Sequence, residues 1–136
     1  MNEEIYYHSM FNRDRLVHIV DADPSTCEAL SVLFRLEGFQ TAFSLEVASL
    51  YASLERRRPD LVVLNLRVAP EDGIAVLRRL KSMRSGVAVF MLGNEPQVEL
   101  AVRAMKAGAA DVVTKPINTE HLVQSVLDSL RQDVHL

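Results

Sequence analysis

Apolar and polar positions fall in blocks along this chain, and the spacing within the blocks switches between two periods. Short apolar runs lie at 16–20 (Leu-Val-His-Ile-Val), 61–64 (Leu-Val-Val-Leu) and 87–92 (Val-Ala-Val-Phe-Met-Leu), with Asp-Val-Val-Thr at 111–114. Runs of this length, rich in β-branched residues and bounded by turn residues, predict strands buried on both faces. Residues 39–43 predict one more strand, second in chain order. Between these runs the apolar residues take a helical period. Residues 24–37 carry Leu30, Leu33, Phe34 and Leu36, with Asp23 as N-cap, Pro24 at the first helical position and Gly38 as the stop. Helices are also predicted at 46–57, closed by Pro59, at 72–83, and at 119–131. In the fourth helix Val98, Ala101, Val102 and Met105 form one apolar face before Gly108.

Strand and helix therefore alternate five times. That pattern predicts parallel strands joined by right-handed crossovers. The fold class is α/β, a (βα)5 doubly wound parallel five-stranded sheet of flavodoxin-like order 2-1-3-4-5. The unit spans 16–131. Residues 1–15 are an N-terminal extension, in which Tyr6, Tyr7, Met10 and Phe11 either dock on the domain or fray. Residues 132–136 are a tail or the start of a linker.

Composition narrows the function. The 136 residues suffice for one domain with a full core, and 49% apolar with 24% charged residues is an ordinary globular balance. A net charge of -3 argues against this segment gripping nucleic acid by itself, so DNA is expected only through a separate domain. The lone cysteine, Cys27, fits a reducing cytoplasm and reads as a small helix residue. No stretch approaches the about 20 apolar residues of a membrane helix, and residues 1–15 lack the apolar core of a signal peptide. A cytoplasmic protein with no membrane contact is expected.

In an open α/β sheet, sites are built beyond the carboxyl ends of the strands. Asp21 follows the first strand, Asn65 ends the third and Lys115 follows the fifth. In the expected strand order these three converge. The plainer reading of Asn65 is a polar cap on a strand. His18, inside a strand with no second His or Cys near it in sequence, reads as structural. The basic residues at 56–58, with Arg78, Arg79, Lys81 and Arg84, read as solvated faces. Val123 and Leu127 lie off the Leu122–Val126–Leu130 stripe. With Val98 and Val102 of the fourth helix they are the candidates for an exposed apolar interface.

The layout resembles the receiver domain of bacterial two-component response regulators, the CheY-like fold. The resemblance runs from Leu16 to Arg131. It is carried by Val-His-Ile-Val-Asp-Ala-Asp (17–23), Pro-Asp-Leu-Val-Val-Leu-Asn-Leu-Arg (59–67), Ala-Met-Lys-Ala-Gly-Ala-Ala-Asp (104–111) and Lys-Pro (115–116). The wording is most similar to the FixJ-type branch, whose members usually carry a C-terminal helix-turn-helix domain. The resemblance implies an acid pair after the first strand and an aspartate after the third, which together hold Mg²⁺. It implies that the third-strand aspartate takes a phosphoryl group from a histidine kinase and that a lysine pairs with the phosphoryl oxygens. It also implies a Ser or Thr after the fourth strand and an aromatic on the fifth, which act as the switch, and dimers formed through the last two helices and the strand between them.

The chain departs from this pattern. Asp21 matches the first acid, but Ala22 stands at the second. Asn65 stands at the phosphoacceptor, Gly93 at the switch hydroxyl and Val112 at the switch aromatic. Val68-Ala69 replaces the usual Met-Pro, with Pro70 one place later. Lys115-Pro116 is intact. A carboxamide is not a nucleophile, so phosphoryl transfer to Asn65 is expected to fail. Mg²⁺ wants anionic oxygens. Asp21, Asn65 and the Arg67 backbone are weak ligands, so no cofactor is expected and Mg²⁺ binding should be weak or absent. An Asp21–Lys115 contact should close the site, with the Asn65 Oδ1 as a further acceptor for Lys115. Asp23 could replace the lost acid, but its N-cap role beside Pro24 fits better.

The expected function is a degenerate receiver, or pseudo-receiver. It would be a phosphorylation-independent interaction and dimerisation module attached to or controlling a transcriptional output, and not an enzyme. Its partners would be a second copy, a histidine kinase or another regulator. Two alternatives stand beside it. Asp21-Ala22-Asp23-Pro24-Ser25 fits the D-x-D-x-[ST] opening of haloacid-dehalogenase-like phosphatases, with Asp21 as nucleophile and Asp23 as general acid. Against that, no later paired-acid motif follows. The other is a receiver still regulated, by a small ligand or by deamidation of Asn65, which the bulky Leu66 disfavours.

Overall fold

The computed structural model describes residues 12–68, 72–83, 86–94 and 98–132. The sequence expectations for Tyr6, Tyr7, Met10, Phe11, Ala69, Pro70, Arg84 and the tail 133–136 lie outside the described residues. In chain order the elements are β1 (Leu16–Val20), α1 (Pro24–Leu36), β2 (Gln40–Ser44), α2 (Val47–Arg56), β3 (Leu61–Asn65), α3 (Gly73–Ser82), β4 (Ala88–Gly93), α4 (Val98–Lys106), β5 (Asp111–Thr114) and α5 (Thr119–Gln132). The sheet is five-stranded and parallel, in the order β2-β1-β3-β4-β5.

The element ends sit within a residue or so of the sequence expectation, and cap chemistry explains the differences. α1 stops at Leu36, where the Glu37 N–H turns back to Phe34 O and Arg35 O. Gly38 then takes φ +95°, a left-handed value that glycine adopts freely. β2 begins and ends one residue later than expected. β3 extends through Asn65, which pairs with Leu92 of β4.

Alternation along the strands sorts the core into two halves. Val17, Ile19, Leu61, Val63, Phe90 and Leu92 face α1 and α5, where they meet Phe34, Leu122 and Val126. Val20, Val62, Leu64, Val89 and Met91 face the other side, against Leu50 of α2, Leu77 and Leu80 of α3 and Ala104 of α4. β3 and β4 are apolar on both faces because both faces are covered. Each of these fully buried Val, Leu, Ile, Phe and Met side chains contributes roughly 1.5–3 kcal/mol.

His18 is the polar exception on β1. It is buried, and its Nε2 lies 2.7 Å from Ser44 Oγ of β2. Burial lowers its pKa to about 4, so it is neutral at physiological pH. Several basic side chains expected only as solvated faces have partners. Arg79 stacks over the Tyr51 ring with its guanidinium 4.2 Å from the centroid, and Lys81 Nζ donates to Val87 O at 3.0 Å.

Candidate functional site

The carboxyl ends of β1, β3 and β5 lie at one edge of the sheet, and β1 and β3 are direct neighbours there. Asp21 follows β1 and is held in place by its own backbone N–H, which donates to Ser44 O at 3.1 Å. Its side chain is 2% exposed. A carboxylate so buried must be paired on every oxygen, and it is. Oδ2 accepts from Lys115 Nζ at 2.7 Å and from Asn65 Nδ2 at 3.1 Å, and Oδ1 accepts from the Asp23 N–H at 2.9 Å.

Asn65 closes the cluster from the other side. Its Nδ2 faces the Asp21 carboxylate, and its Oδ1 accepts from the Arg67 N–H at 3.1 Å. That orientation is dictated by the neighbours, since only the NH₂ end can donate to a carboxylate. The expected Asn65 Oδ1 contact to Lys115 therefore does not form. Lys115 pairs with Asp21, and the Asn65 oxygen serves the turn after β3. The start of α3 lies against the backbone that follows β3: the Gly73 N–H donates to Leu66 O at 3.1 Å, and a Cβ on Gly73 would sit 2.6 Å from the same oxygen, so only glycine fits there.

Asp23 does not reach the cluster with its side chain. Its Oδ1 accepts from the Ser25 N–H at 3.1 Å and its Oδ2 from Thr26 Oγ at 2.8 Å, which caps α1. The Thr26 hydroxyl, then the Ser25 N–H, hold its carboxyl below the usual aspartate range. Ala22 is exposed between the two acids and offers no ligand atom. Cys27 packs underneath, with Sγ donating to Asp21 O at 3.4 Å. Burial, followed by the nearby Asp21 charge, pushes its thiol up to about 11, so it is a poor nucleophile.

The fifth strand delivers Lys115 through its backbone. The Lys115 N–H donates to Gly93 O at 2.6 Å at the end of β4, and the Lys115–Pro116 peptide is cis. Gly93 pairs with Thr114, and Val112 pairs with Met91. Gly93 and Val112 make no side-chain contact with the polar cluster, and Gly93 meets Lys115 through backbone only. They line a separate apolar hollow between α4 and β5, together with Val98 and Val102. Val123 and Leu127 line a different groove, against Leu33 of α1 and Glu37 just past its end. The four apolar interface candidates thus divide between two hollows. Sequence reasoning missed the Arg67 N–H and the Asp23 N–H as donors to the cluster. Backbone donors leave no mark in side-chain identity, although the Asp21-x-Asp23 and Asn65-x-Arg67 spacings are those at which Asx side chains bond their own chain two residues on.

The atoms that could contact a cation are the Asp21 carboxylate, the Asn65 Oδ1 and the Arg67 carbonyl. The first two are already engaged by protein donors. Among the described residues, no three of His, Cys, Asp and Glu come together as a metal site.

The family model described as "Response regulator receiver domain" matches residues 17–127. The chain is 34% identical over 116 residues to the probable transcriptional regulatory protein TcrX of Mycobacterium tuberculosis, covering 85% of this chain and 50% of that protein. It is 36% identical over 121 residues to the DNA-binding response regulator MtrA of Mycolicibacterium smegmatis, covering 89% of this chain and 52% of that one. The chain thus spans about half the length of these two relatives. Among solved structures, a two-component response regulator from Clostridium difficile superposes with a TM-score of 0.84 at 18% identity, over 89% of this chain and 99% of that one. The signal receiver domain of a DNA-binding response regulator from Colwellia psychrerythraea 34H gives a TM-score of 0.81 at 19% identity, over 87% and 99%. These two likenesses concern the fold.

Proposed function

The chain belongs to the response regulator receiver family, and from that premise we propose that it is a receiver that signals without being phosphorylated. The observation that carries this reading is Asn65. It ends β3 at the edge where the chemistry of an open α/β sheet is placed, and both ends of its amide are already committed, to Asp21 and to the Arg67 N–H. A neutral amide has no charged oxygen to attack a phosphoryl donor.

The donor set fits Mg²⁺ poorly. A hard divalent cation needs several anionic oxygens. Here one buried carboxylate is available, and binding would compete with the Lys115 ammonium for it. Ala22 supplies nothing, and the Asp23 carboxylate caps α1. No step in this function passes through a metal.

The same contacts argue against hydrolysis by Asp21. A nucleophilic carboxylate needs an open approach, and this one is 2% exposed behind Lys115 and Asn65. The module is therefore read as a non-enzymatic binding unit. No helix among the described residues is long and apolar enough to cross a membrane, and a cytoplasmic setting goes with the signalling role. The wording of 17–23, 59–67, 104–111 and 115–116 supports placement in the FixJ-type branch. The relatives that share this domain include a DNA-binding response regulator. A transcriptional output is proposed to lie in a separate domain, because this one carries a net charge of -3. Its protein partners are a second copy of itself, with a histidine kinase or another regulator as heterologous partner. The exposed Val98 and Val102 support self-association.

Sedimentation velocity with and without acetyl phosphate and Mg²⁺ tests the reading. The distribution is expected to be the same in both. A shift in association state that depends on the phosphoryl donor overturns it.

A further inference from the structure

The large apolar side chains left exposed among the described residues belong to two places. Val98, Val102 and Met105 are on α4. Val32, Leu36, Phe43 and Leu45 belong to α1, β2 and the residue after β2. β2 ends the sheet, with β1 as its one strand neighbour. Its sequence, Gln-Thr-Ala-Phe-Ser, has neither the charge nor the proline with which edge strands usually deter pairing.

The register shows which backbone groups of β2 are free. The Gln40 N–H donates to Arg15 O, and Ser44 O accepts from the Asp21 N–H, so Gln40 and Ser44 point towards β1. Backbone direction alternates along a strand, so the groups of Ala42 also point to β1. Those of Thr41 and Phe43 point outward, and they have no hydrogen-bond partner among the described residues. A further strand is what matches N–H and C=O groups at that spacing.

The side chains beside this edge select its partner. α1 passes over β2 and leaves a hollow of about 490 Å³, lined mainly by Glu28, Ser31, Val32, Arg35, Thr41 and Phe43. Glu28 and Arg35 are exposed, lie seven positions apart on α1, and have no ion-pair partner among the described residues. The Ser31 hydroxyl between them is buried without a hydrogen-bond partner, as on a surface that a single chain leaves incomplete. A two-fold axis through Ala42 sets Thr41 against Phe43 of a second copy and Phe43 against its Thr41. Both pairs then exchange N–H···O=C bonds. The same axis runs the two α1 helices antiparallel. It brings Glu28 towards Arg35 of the second copy and Arg35 towards its Glu28. Backbone, charges and apolar side chains are each self-complementary about one axis, as an isologous contact requires.

We propose that the chain pairs with a second copy of itself through β2, antiparallel and in register at Ala42, with the Phe43 ring of each copy over the hollow of the other. This seam is at the opposite edge of the sheet from β5. It stands whether or not Val98 and Val102 self-associate and whether or not Asn65 is phosphorylated.

Two experiments on the full 136-residue chain test it. Ala42→Cys puts two thiols on the axis, where Cα atoms of facing residues lie about 4.5 Å apart, close enough for a disulfide. Copper-catalysed air oxidation should give a covalent dimer on a non-reducing gel. Leu45→Cys, about 20 Å from its counterpart, should stay monomeric. Native Cys27 is buried and should not cross-link. The Ala42→Cys link should survive Val98→Glu, which alters the α4 face. In the second experiment, Glu28→Arg and Arg35→Glu are each made beside Val98→Glu. Each sets like charges across the seam and should weaken self-association in sedimentation velocity by about tenfold or more. Mixed one to one, the two variants are complementary and should regain the association of the chain with Val98→Glu alone. The proposal is overturned if Ala42→Cys gives no covalent dimer, if Leu45→Cys cross-links as readily, or if Val98→Glu abolishes the link. It is equally overturned if the mixed charge variants associate no better than either does by itself.

Discussion

Two regions at the same end of the sheet have opposite characters. At the ends of β1, β3 and β5, both oxygens of Asp21 and both ends of the Asn65 amide have partners. Between α4 and β5, a hollow of about 400 Å³ stays open, lined mainly by apolar side chains, and among the described residues neither its Lys106 ammonium nor its Thr114 hydroxyl has a partner. In the first region the Asp21 carboxylate, the Lys115 ammonium and the Asn65 amide satisfy one another and two backbone N–H groups. The second region is an apolar hollow that its lining side chains leave open. A buried polar group can be satisfied by single well-placed partners. Open space cannot be closed that way, because side chains in a close-packed interior collapse only partly into it.

The largest expected effect breaks the first region. Asp21→Ala strands the Lys115 ammonium and the Asn65 amide at a mostly buried edge. Removing one partner of a buried pair is far costlier than the pair's net worth, and here the loss is about 3 kcal/mol, tempered by the 20% exposure of Lys115. Urea denaturation should show it as a drop in midpoint at constant slope. A change under about 1 kcal/mol would mean that the network holds nothing together.

Acid should act on the same strand by a different route. His18 has its folded pKa lowered from 6.5 to about 4 by burial. The unfolded chain therefore takes up a proton that the folded chain refuses. Its contribution is complete above pH 6.5 and is lost as pH falls toward 4, to a limit of about 3 kcal/mol. His18→Gln should flatten that slope between those two pH values. An unchanged slope in the variant would show that the imidazole is not the titrating group.

The second region should respond in the opposite direction. Val112→Phe adds apolar bulk where space is open, and it is expected to raise stability by about 1 kcal/mol, as cavity filling commonly does. A fall of similar size would show that the hollow is smaller in solution. Smallest of all is Val98→Glu. Val98 is 76% exposed at the rim, so the expected change is within about 0.5 kcal/mol, measured by the same denaturation.

Much of the polar edge was legible from residue types and order. The blocks of apolar residues gave ten alternating elements, the order 2-1-3-4-5 was the flavodoxin-like one expected of a doubly wound sheet, and the convergence of Asp21, Asn65 and Lys115 followed from that order. What the residues could not convey was which atom of each group meets which. Asn65 was expected to offer its oxygen to Lys115, whereas the nearby Asp21 carboxylate selects the nitrogen and the Arg67 N–H takes the oxygen. The hollow was illegible for a related reason. Gly93 and Val112 were read as the switch hydroxyl and aromatic positions, but a void is a property of packing between elements distant in sequence. The same holds for the division of Val98 and Val102 from Val123 and Leu127. All four read alike as interface candidates, and only the placement of α1 beside α5 sends the second pair elsewhere.

The account stands or falls on Asn65. The direct measurement is intact-mass spectrometry of the chain after incubation with acetyl phosphate and Mg²⁺, run beside Asn65→Asp and the double variant Ala22→Asp, Asn65→Asp. The wild-type chain is predicted to gain no phosphoryl mass, the single variant at most a trace because the second carboxylate is still missing, and the double variant a substantial fraction. A stoichiometric phosphoryl adduct on the wild-type chain would contradict the account.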